Sequence, residues 1–276
     1  MFTIDSHQHF WKYDLKNHAW INDEMKVIRK DFLPNDLLPI LQDNRVGGCV
    51  AVQADQTESE TNFLLDLAAQ NKFIKGVVGW VDLCAENSTD RLEHFNQFNV
   101  LKGFRHILQG ESPEFILQPS FLNGISKLSE FNFTYDILVF PKHLRAVLQL
   151  VRQMPQQKFV IDHIAKPPIK EGLIDDWKKD LQEIAKCDNV YCKISGVVTE
   201  ADWNTWTQEN IKPYLDTVVT AFGTHRILFG SDWPVCLVAA SYTQWITLVR
   251  NYFSSFSIHE QEKFFSSNAI SFYQLK

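Results

Sequence analysis

Ile227-Leu228-Phe229-Gly230-Ser231-Asp232-Trp233-Pro234 is a short apolar run that breaks abruptly into small and polar residues. Consecutive apolar residues need cover on both faces, the condition of a parallel strand sheathed by helices. The Gly, Asp and Pro that follow are turn residues, and they set a carboxylate just past the strand's C-terminal end. The same pattern recurs upstream in Val50-Ala51-Val52 and Gly76-Val77-Val78-Gly79. Strands are predicted over Phe2–Asp5, Gly48–Gln53, Ile74–Val81, Val100–Arg105, Phe133–Leu138, Lys158–Asp162, Val190–Ile194 and Arg226–Gly230. Between them apolar residues take helical spacing, as in Glu60–Gln70, Lys142–Gln153 and Trp177–Lys186. Eight such units in 276 residues, near the roughly 250 of a (β/α)8 barrel, predict one α/β domain, a TIM barrel spanning residues 1–276. A last helix, His259–Leu275, is expected to close the barrel wall.

Composition narrows the function. With 45% hydrophobic and 22% charged residues the chain can bury a large core without cross-links. A net charge of -6 argues against nucleic acid, whose backbone is held by clustered Lys and Arg. Five cysteines without a C-x-x-C pair fit reduced thiols rather than a disulfide framework. No apolar run approaches the roughly 20 residues of a membrane span, and Met1-Phe2-Thr3-Ile4-Asp5 lacks a leader's basic and apolar regions. A soluble, cytoplasmic protein with a small-molecule substrate is expected.

In a barrel of this kind chemistry gathers at the C-terminal ends of the strands. The first ends Asp5-Ser6-His7-Gln8-His9, and a strand's two-residue period turns His7 and His9 to one side. Alone, H-x-H equally describes two capping or surface histidines. The sixth strand ends Val160-Ile161-Asp162-His163 and the eighth ends at Asp232. As isolated residues, His163 reads as a core histidine and Asp232 as a turn residue. Together, His7, His9, His163 and Asp232 are a set that either binds one divalent metal ion or orients a carbonyl and a water without one. Arg105 and His106 end the fourth strand, and an arginine's fixed fork of donors suits a carboxylate or hydroxyl cluster, with a surface salt bridge as the competing reading. Gln53 and Trp80 are taken as substrate-facing, whereas Asp136 and Lys193 equally fit a pair inside the barrel wall. Two long insertions, His9 to Phe32 and His106 to Pro119, have the length of loops that cover a substrate.

Five segments taken in order, Ile4-Asp5-Ser6-His7-Gln8-His9-Phe10-Trp11, Lys102-Gly103-Phe104-Arg105-His106, Asp162-His163-Ile164-Ala165-Lys166-Pro167, Lys193-Ile194-Ser195-Gly196 and Phe229-Gly230-Ser231-Asp232-Trp233-Pro234-Val235, resemble the lactonase group of the amidohydrolase superfamily. The resemblance runs over nearly the whole chain. It implies hydrolysis of a sugar lactone such as L-fuconolactone or L-rhamnonolactone, related members opening 2-pyrone-4,6-dicarboxylate. Two-metal members of the superfamily carry a lysine at the end of strand 4 and a histidine at the end of strand 5. Arg105-His106 and Tyr135-Asp136 stand there instead, which argues for at most one metal ion, zinc foremost, or none.

On that reading Asp232 is the general base for water, its acidity weakened by burial. His7, His9 and His163 polarise the lactone carbonyl, through the ion or directly. Arg105 and His106 bind the ring oxygen or hydroxyls, and His106 is a candidate donor to the leaving oxygen. The rival readings are a non-oxidative metal-dependent decarboxylase and a non-catalytic sugar-acid-binding barrel.

Overall fold

The computed structural model describes residues 2–276. Strands β1 (Ile4–Gln8), β2 (Gly48–Val52), β3 (Ile74–Gly79), β4 (Leu101–His106), β5 (Thr134–Ile137), β6 (Phe159–Ile161), β7 (Val190–Ile194) and β8 (Ile227–Phe229) form one sheet in sequence order. Every neighbouring pair is parallel. The seam is closed by the segment after β8: Gln8 bridges Trp233, His9 N–H donates to the Trp233 carbonyl at 2.7 Å, and Asp232 N–H donates to the His7 carbonyl at 2.8 Å. The result is a single-domain (β/α)8 barrel with eight strands in the expected order, β1 beginning at Ile4 and running on to Gln8 rather than ending at Asp5.

Helices α1 (Pro34–Asp43), α2 (Glu58–Gln70), α3 (Ser88–Asn96), α4 (Pro119–Leu128), α5 (Leu144–Gln153), α6 (Asp175–Ala185), α7 (Gln208–Phe222) and α8 (Tyr242–Phe253) surround the strands. Their ends are written locally. Thr57 caps α2 by accepting from Glu60 N–H, and proline supplies the first residue of α1 and α4, where no N–H partner is needed. In α5, Leu144, Val147, Leu150 and Val151 are buried while Arg145 and Arg152 stay outside, the 3.6-residue period in use.

The last segment departs from the expected single helix. It is α9 (Ile258–Glu262), a π turn over Lys263–Ser267 and α10 (Asn268–Tyr273). A π turn admits an extra residue and so rotates the buried face. Phe264 and Phe265 pack outside on Phe229. Beyond the π turn, α10 passes beneath the barrel, where Ala269, Phe272 and Tyr273 join inward-facing Ile4, Val50, Val52, Val78, Val160 and Leu228. It plugs the bottom rather than completing the wall.

A bulge in β1 sets up the mouth. Asp5 pairs with Cys49 and Gln8 with Ala51, so three residues of β1 span two of β2. Asp5 and Gln8 therefore both face outward, Asp5 accepting from Tyr242 Oη of α8 at 3.1 Å. Ile4 faces the interior at the bottom, and after the bulge His7 and His9 face it at the top. The five cysteines are all unbridged. Among the described residues no helix is long and apolar enough to cross a membrane.

Candidate active site

Four side chains from three places in the chain converge at the C-terminal mouth. His7 comes from β1 and His9 from the residue just after it, His163 from the turn after β6, and Asp232 from the turn after β8. His7 Nε2 lies 3.2 Å from His9 Nε2. Asp232 Oδ1 lies 3.3 Å from His9 Nε2 and 3.8 Å from both His7 Nε2 and His163 Nε2. All four residues are buried.

The other nitrogen of each ring is engaged elsewhere. His9 Nδ1–H donates to the Val52 carbonyl at 2.7 Å, His7 Nδ1 meets Asp162 Oδ1 at 3.2 Å, and His163 Nδ1 meets Ser195 Oγ at 3.0 Å. With Nδ1 of each ring turned away, the three Nε2 atoms face one carboxylate oxygen. Donors held 2.0–2.1 Å from a tetrahedral ion stand roughly 3.3 Å apart, so His7, His9 and Asp232, 3.2 to 3.8 Å from one another, fit one small divalent cation with His163 beside them, and the outer partners of the rings are those that orient metal-bound imidazoles.

Burial pushes the His163 imidazole down to about 4, against the pull of Asp232, and it drives His7 well below its ordinary value despite Asp162. Both rings are therefore neutral near pH 7, as ligation requires. The acidity of Asp232 is the reverse of the sequence expectation. Burial does raise it, but His163, the hydrogen bond from His9, and His7 outweigh burial and hold the carboxyl below the usual carboxylate range. It stays ionised at every working pH.

Below the four lies a buried ionic layer. Asp162 Oδ2 accepts from Arg105 Nη1 at 3.0 Å, and its Oδ1 sits 3.0 Å from Lys193 Nζ. Lys193 also reaches Asp136 Oδ2 at 2.5 Å, and that oxygen accepts from Tyr273 Oη at 2.8 Å. Asp136 and Lys193 thus pair inside the barrel, one of the two readings their sequence positions allowed. Burial raises both carboxyls, but His7, Lys193 and Arg105 draw Asp162 well below its ordinary value, whereas Asp136, with fewer cations, rises to about 6.

A cavity of about 160 Å³ opens on this group, lined among others by His9, Arg105, His163, Lys166, Asp232 and Trp20 of the first long insertion. Three residues read as substrate-facing do not line it. Gln53 is fully buried and holds Arg105, donating to its carbonyl at 3.1 Å and accepting from Nη2 at 3.2 Å on Oε1. Trp80 Nε1–H points at His106 Nδ1, 3.4 Å away. His106 itself faces Glu111 Oε1 at 3.2 Å and stacks on Phe115. The contacts of Gln53 and Trp80 join distant segments, which strand-end position alone does not reveal. Asp162, Ser195 and Lys166 each lie in a segment that carries the family resemblance, and their contacts with His7, His163 and the cavity come from the fold.

Gly196 shows how tightly the turn after β7 fits. Its φ is +61°, and a Cβ there would stand 2.6 Å from His163 Nδ1 and 2.7 Å from Asp232 Oδ2. Gly196→Ala is expected to cut kcat by about 10²-fold, because a displacement near 1 Å suffices for that loss, while the protein still unfolds cooperatively. Wild-type turnover in this variant would show that His163 and Asp232 tolerate the shift.

The sequence pattern of the Amidohydrolase family matches residues 4–275. An L-fucono-1,5-lactonase of Burkholderia multivorans is 40% identical over 91% of this chain and 88% of its own length. An L-fucono-1,5-lactonase of Burkholderia ambifaria is 34% identical over 99% of this chain and 96% of its own. The crystal structure of a Burkholderia multivorans amidohydrolase with bound zinc superposes with a TM-score of 0.97 at 38% identity, covering both chains completely. With the barrel complete and the match running from β1 to α10, the chain belongs to the amidohydrolase family.

Proposed function

We propose that the protein hydrolyses the lactone of a sugar acid, an aldonolactone of the L-fuconolactone or L-rhamnonolactone type, to the free acid. The observation that carries this reading is the convergence of three imidazole Nε2 atoms on Asp232 Oδ1 beside a cavity of about 160 Å³ that His9, His163 and Asp232 line. Pockets for drug-sized ligands run from roughly 300 to 1,000 Å³, so this one suits a single ring. The L-fucono-1,5-lactonases at 40% and 34% identity support the substrate class.

His7, His9, His163 and Asp232 would hold one divalent ion, zinc foremost, which when bound supplies Lewis acidity toward a carbonyl or a water. The second cluster sharing His7, with Asp162 and His163, is less suited to an ion. Asp162 already faces two fixed cations, Arg105 and Lys193, and a further dication there would meet their repulsion.

Asp232, ionised and held rigidly, takes the proton of the attacking water. The backbone hydrogen bonds from Asp232 N–H to His7 and from His9 N–H to Trp233 hold the base in register with β1. Arg105, itself fixed by Asp162 and Gln53, presents a positive edge to the cavity where the carbonyl oxygen gains charge.

A panel of 1,4- and 1,5-aldonolactones, followed by acid release with metal content measured on the same sample, tests the proposal. L-Fucono-1,5-lactone or a close stereoisomer is expected to turn over. Chelation is expected to lower the rate by about 10²-fold or more, with recovery on adding zinc. Release of CO2 from an aromatic acid without any lactone turnover would favour the decarboxylase reading, and ligand binding without turnover the non-catalytic one.

A further inference from the structure

Four consecutive non-glycine residues after β6 carry positive φ: His163 at 52°, Ile164 at 50°, Ala165 at 62° and Lys166 at 50°. Each costs an L-residue roughly 1–2 kcal/mol, and such strain persists where the surroundings over-determine it, most often at functional sites. Here the turn is clamped on its far side. Ile164 and Ala165 are fully buried, and Trp177 Nε1–H donates to the Ile164 carbonyl at 2.8 Å. Lys166 N–H donates to the His163 carbonyl at 2.8 Å, closing a turn of three residues. Residues three apart in such a turn share a face. His163 and Lys166 therefore both line the catalytic cavity.

Lys166 is held at the edge of that cavity. Its Nζ donates to Glu200 Oε1 at 2.8 Å, and Thr199 Oγ1 lies 3.4 Å from the same oxygen. Lys166 also lines a wider groove of about 690 Å³, shared with Glu200, Lys170 and Asp202, so the residue stands between the cavity and that groove.

Apart from Asp232, which takes the proton of the water, the other polar groups around the cavity are otherwise committed. His9 Nδ1–H faces the Val52 carbonyl, and His163 Nδ1 is engaged with Ser195 Oγ. Arg105 is tied to Asp162 and Gln53, and an arginine does not deprotonate in a protein. The indole of Trp20 and the amide of Gln109 donate hydrogen bonds without giving up protons. His106, the candidate donor from sequence, does not line the cavity.

We propose that Lys166 is the general acid of the reaction, the group that protonates the ring oxygen as it leaves. This rests on the lactonase reading. Water adds to the lactone carbonyl carbon, and its proton passes to Asp232. The bond between that carbon and the ring oxygen then breaks with its electron pair on oxygen, which takes a proton from Lys166 Nζ and becomes the free hydroxyl. An ammonium is a stronger acid than an alcohol, so the transfer is downhill. Asp232 loses its proton to solvent and Lys166 regains one through the groove, leaving one water consumed per lactone opened.

The test compares an aldono-1,5-lactone with its 5-thio analogue, in which sulfur replaces the ring oxygen and leaves as a thiolate that needs no proton. Lys166→Met is expected to lower kcat on the oxygen lactone by about 10²–10³-fold and on the thiolactone by less than about fivefold, with Lys166→Arg no substitute on the oxygen lactone. Equal losses on both substrates, with normal zinc content and folding, would overturn the assignment and leave Lys166 a binding or structural residue. So would undiminished turnover of both. A wild-type protein that opens no lactone at all would instead overturn the lactonase reading, and this assignment with it.

Discussion

Asp232→Asn is expected to lower kcat on the preferred aldonolactone by about 10³-fold or more while leaving the fold intact. The amide is nearly isosteric, and its oxygen can still face the three Nε2 atoms, so the geometry of the mouth has little reason to move. Two things are lost together. The amide cannot take a proton from water, a role worth about 10²–10⁴-fold for a placed base. The negative charge that faces His163, His9 and His7 at 3.3 to 3.8 Å is also gone, so metal content must be matched before rates are compared. The carboxyl lies below the usual carboxylate range, so acidification to pH 5 does not mimic the variant in the wild-type protein. Turnover within about fivefold of wild type, on folded and zinc-matched protein, would remove Asp232 from the base role.

Asp162→Ala is expected to cost about 3–5 kcal/mol of stability, the range for breaking a buried ion pair by removing one partner. The side chain is fully buried and stands between Arg105, Lys193 and His7. Without it two buried cations share the single carboxylate Asp136, which reaches only Lys193. At roughly 2–4 °C per kcal/mol for a domain of this size, Tm should fall by about 10 °C. His7 Nδ1 loses the acceptor that orients its ring, so zinc affinity should drop about 10–100-fold, the cost of losing an outer partner of a metal-bound histidine. Thermal unfolding with and without zinc reads both effects. The exposed pair Lys212–Asp216, at 2.7 Å, provides the contrast: Lys212→Ala should change stability by less than about 1 kcal/mol because water screens it. If Asp162→Ala unfolded like wild type and bound zinc as tightly, the ionic layer would have no part in supporting the mouth.

The fold was legible in the sequence because its signals are local. A strand covered on both faces must be apolar throughout, and a helix that packs on it must carry its apolar residues at 3.6-residue spacing; both are visible within a dozen residues. The positions of His7, His9, His163 and Asp232 followed from the same reasoning, since each sits where an apolar run ends and the mouth of a barrel begins. The structure brings these four together, with 3.2 to 3.8 Å between facing atoms.

The exceptions are contacts between segments far apart in the chain. Gln53 and Trp80 end strands as a pocket residue would, yet the one holds Arg105 and the other meets His106. The helix expected in the barrel wall became a plug because a π turn rotates its last residues beneath the strands. The left-handed turn over 163–166 contains no glycine to announce it, and burial of Ile164 and Ala165 enforces it from outside.

By itself the sequence determined the barrel, its strand order and the residue types at its mouth, because backbone preference and burial act residue by residue along the chain. Only the tertiary structure decided which nitrogen of each imidazole faces the cavity, that Asp232 is made more acidic rather than less, and that Arg105 is held by Asp162 before it meets a substrate. Those outcomes depend on charges and donors brought within about 4 Å by folding, where electrostatic energies become large enough to outweigh burial.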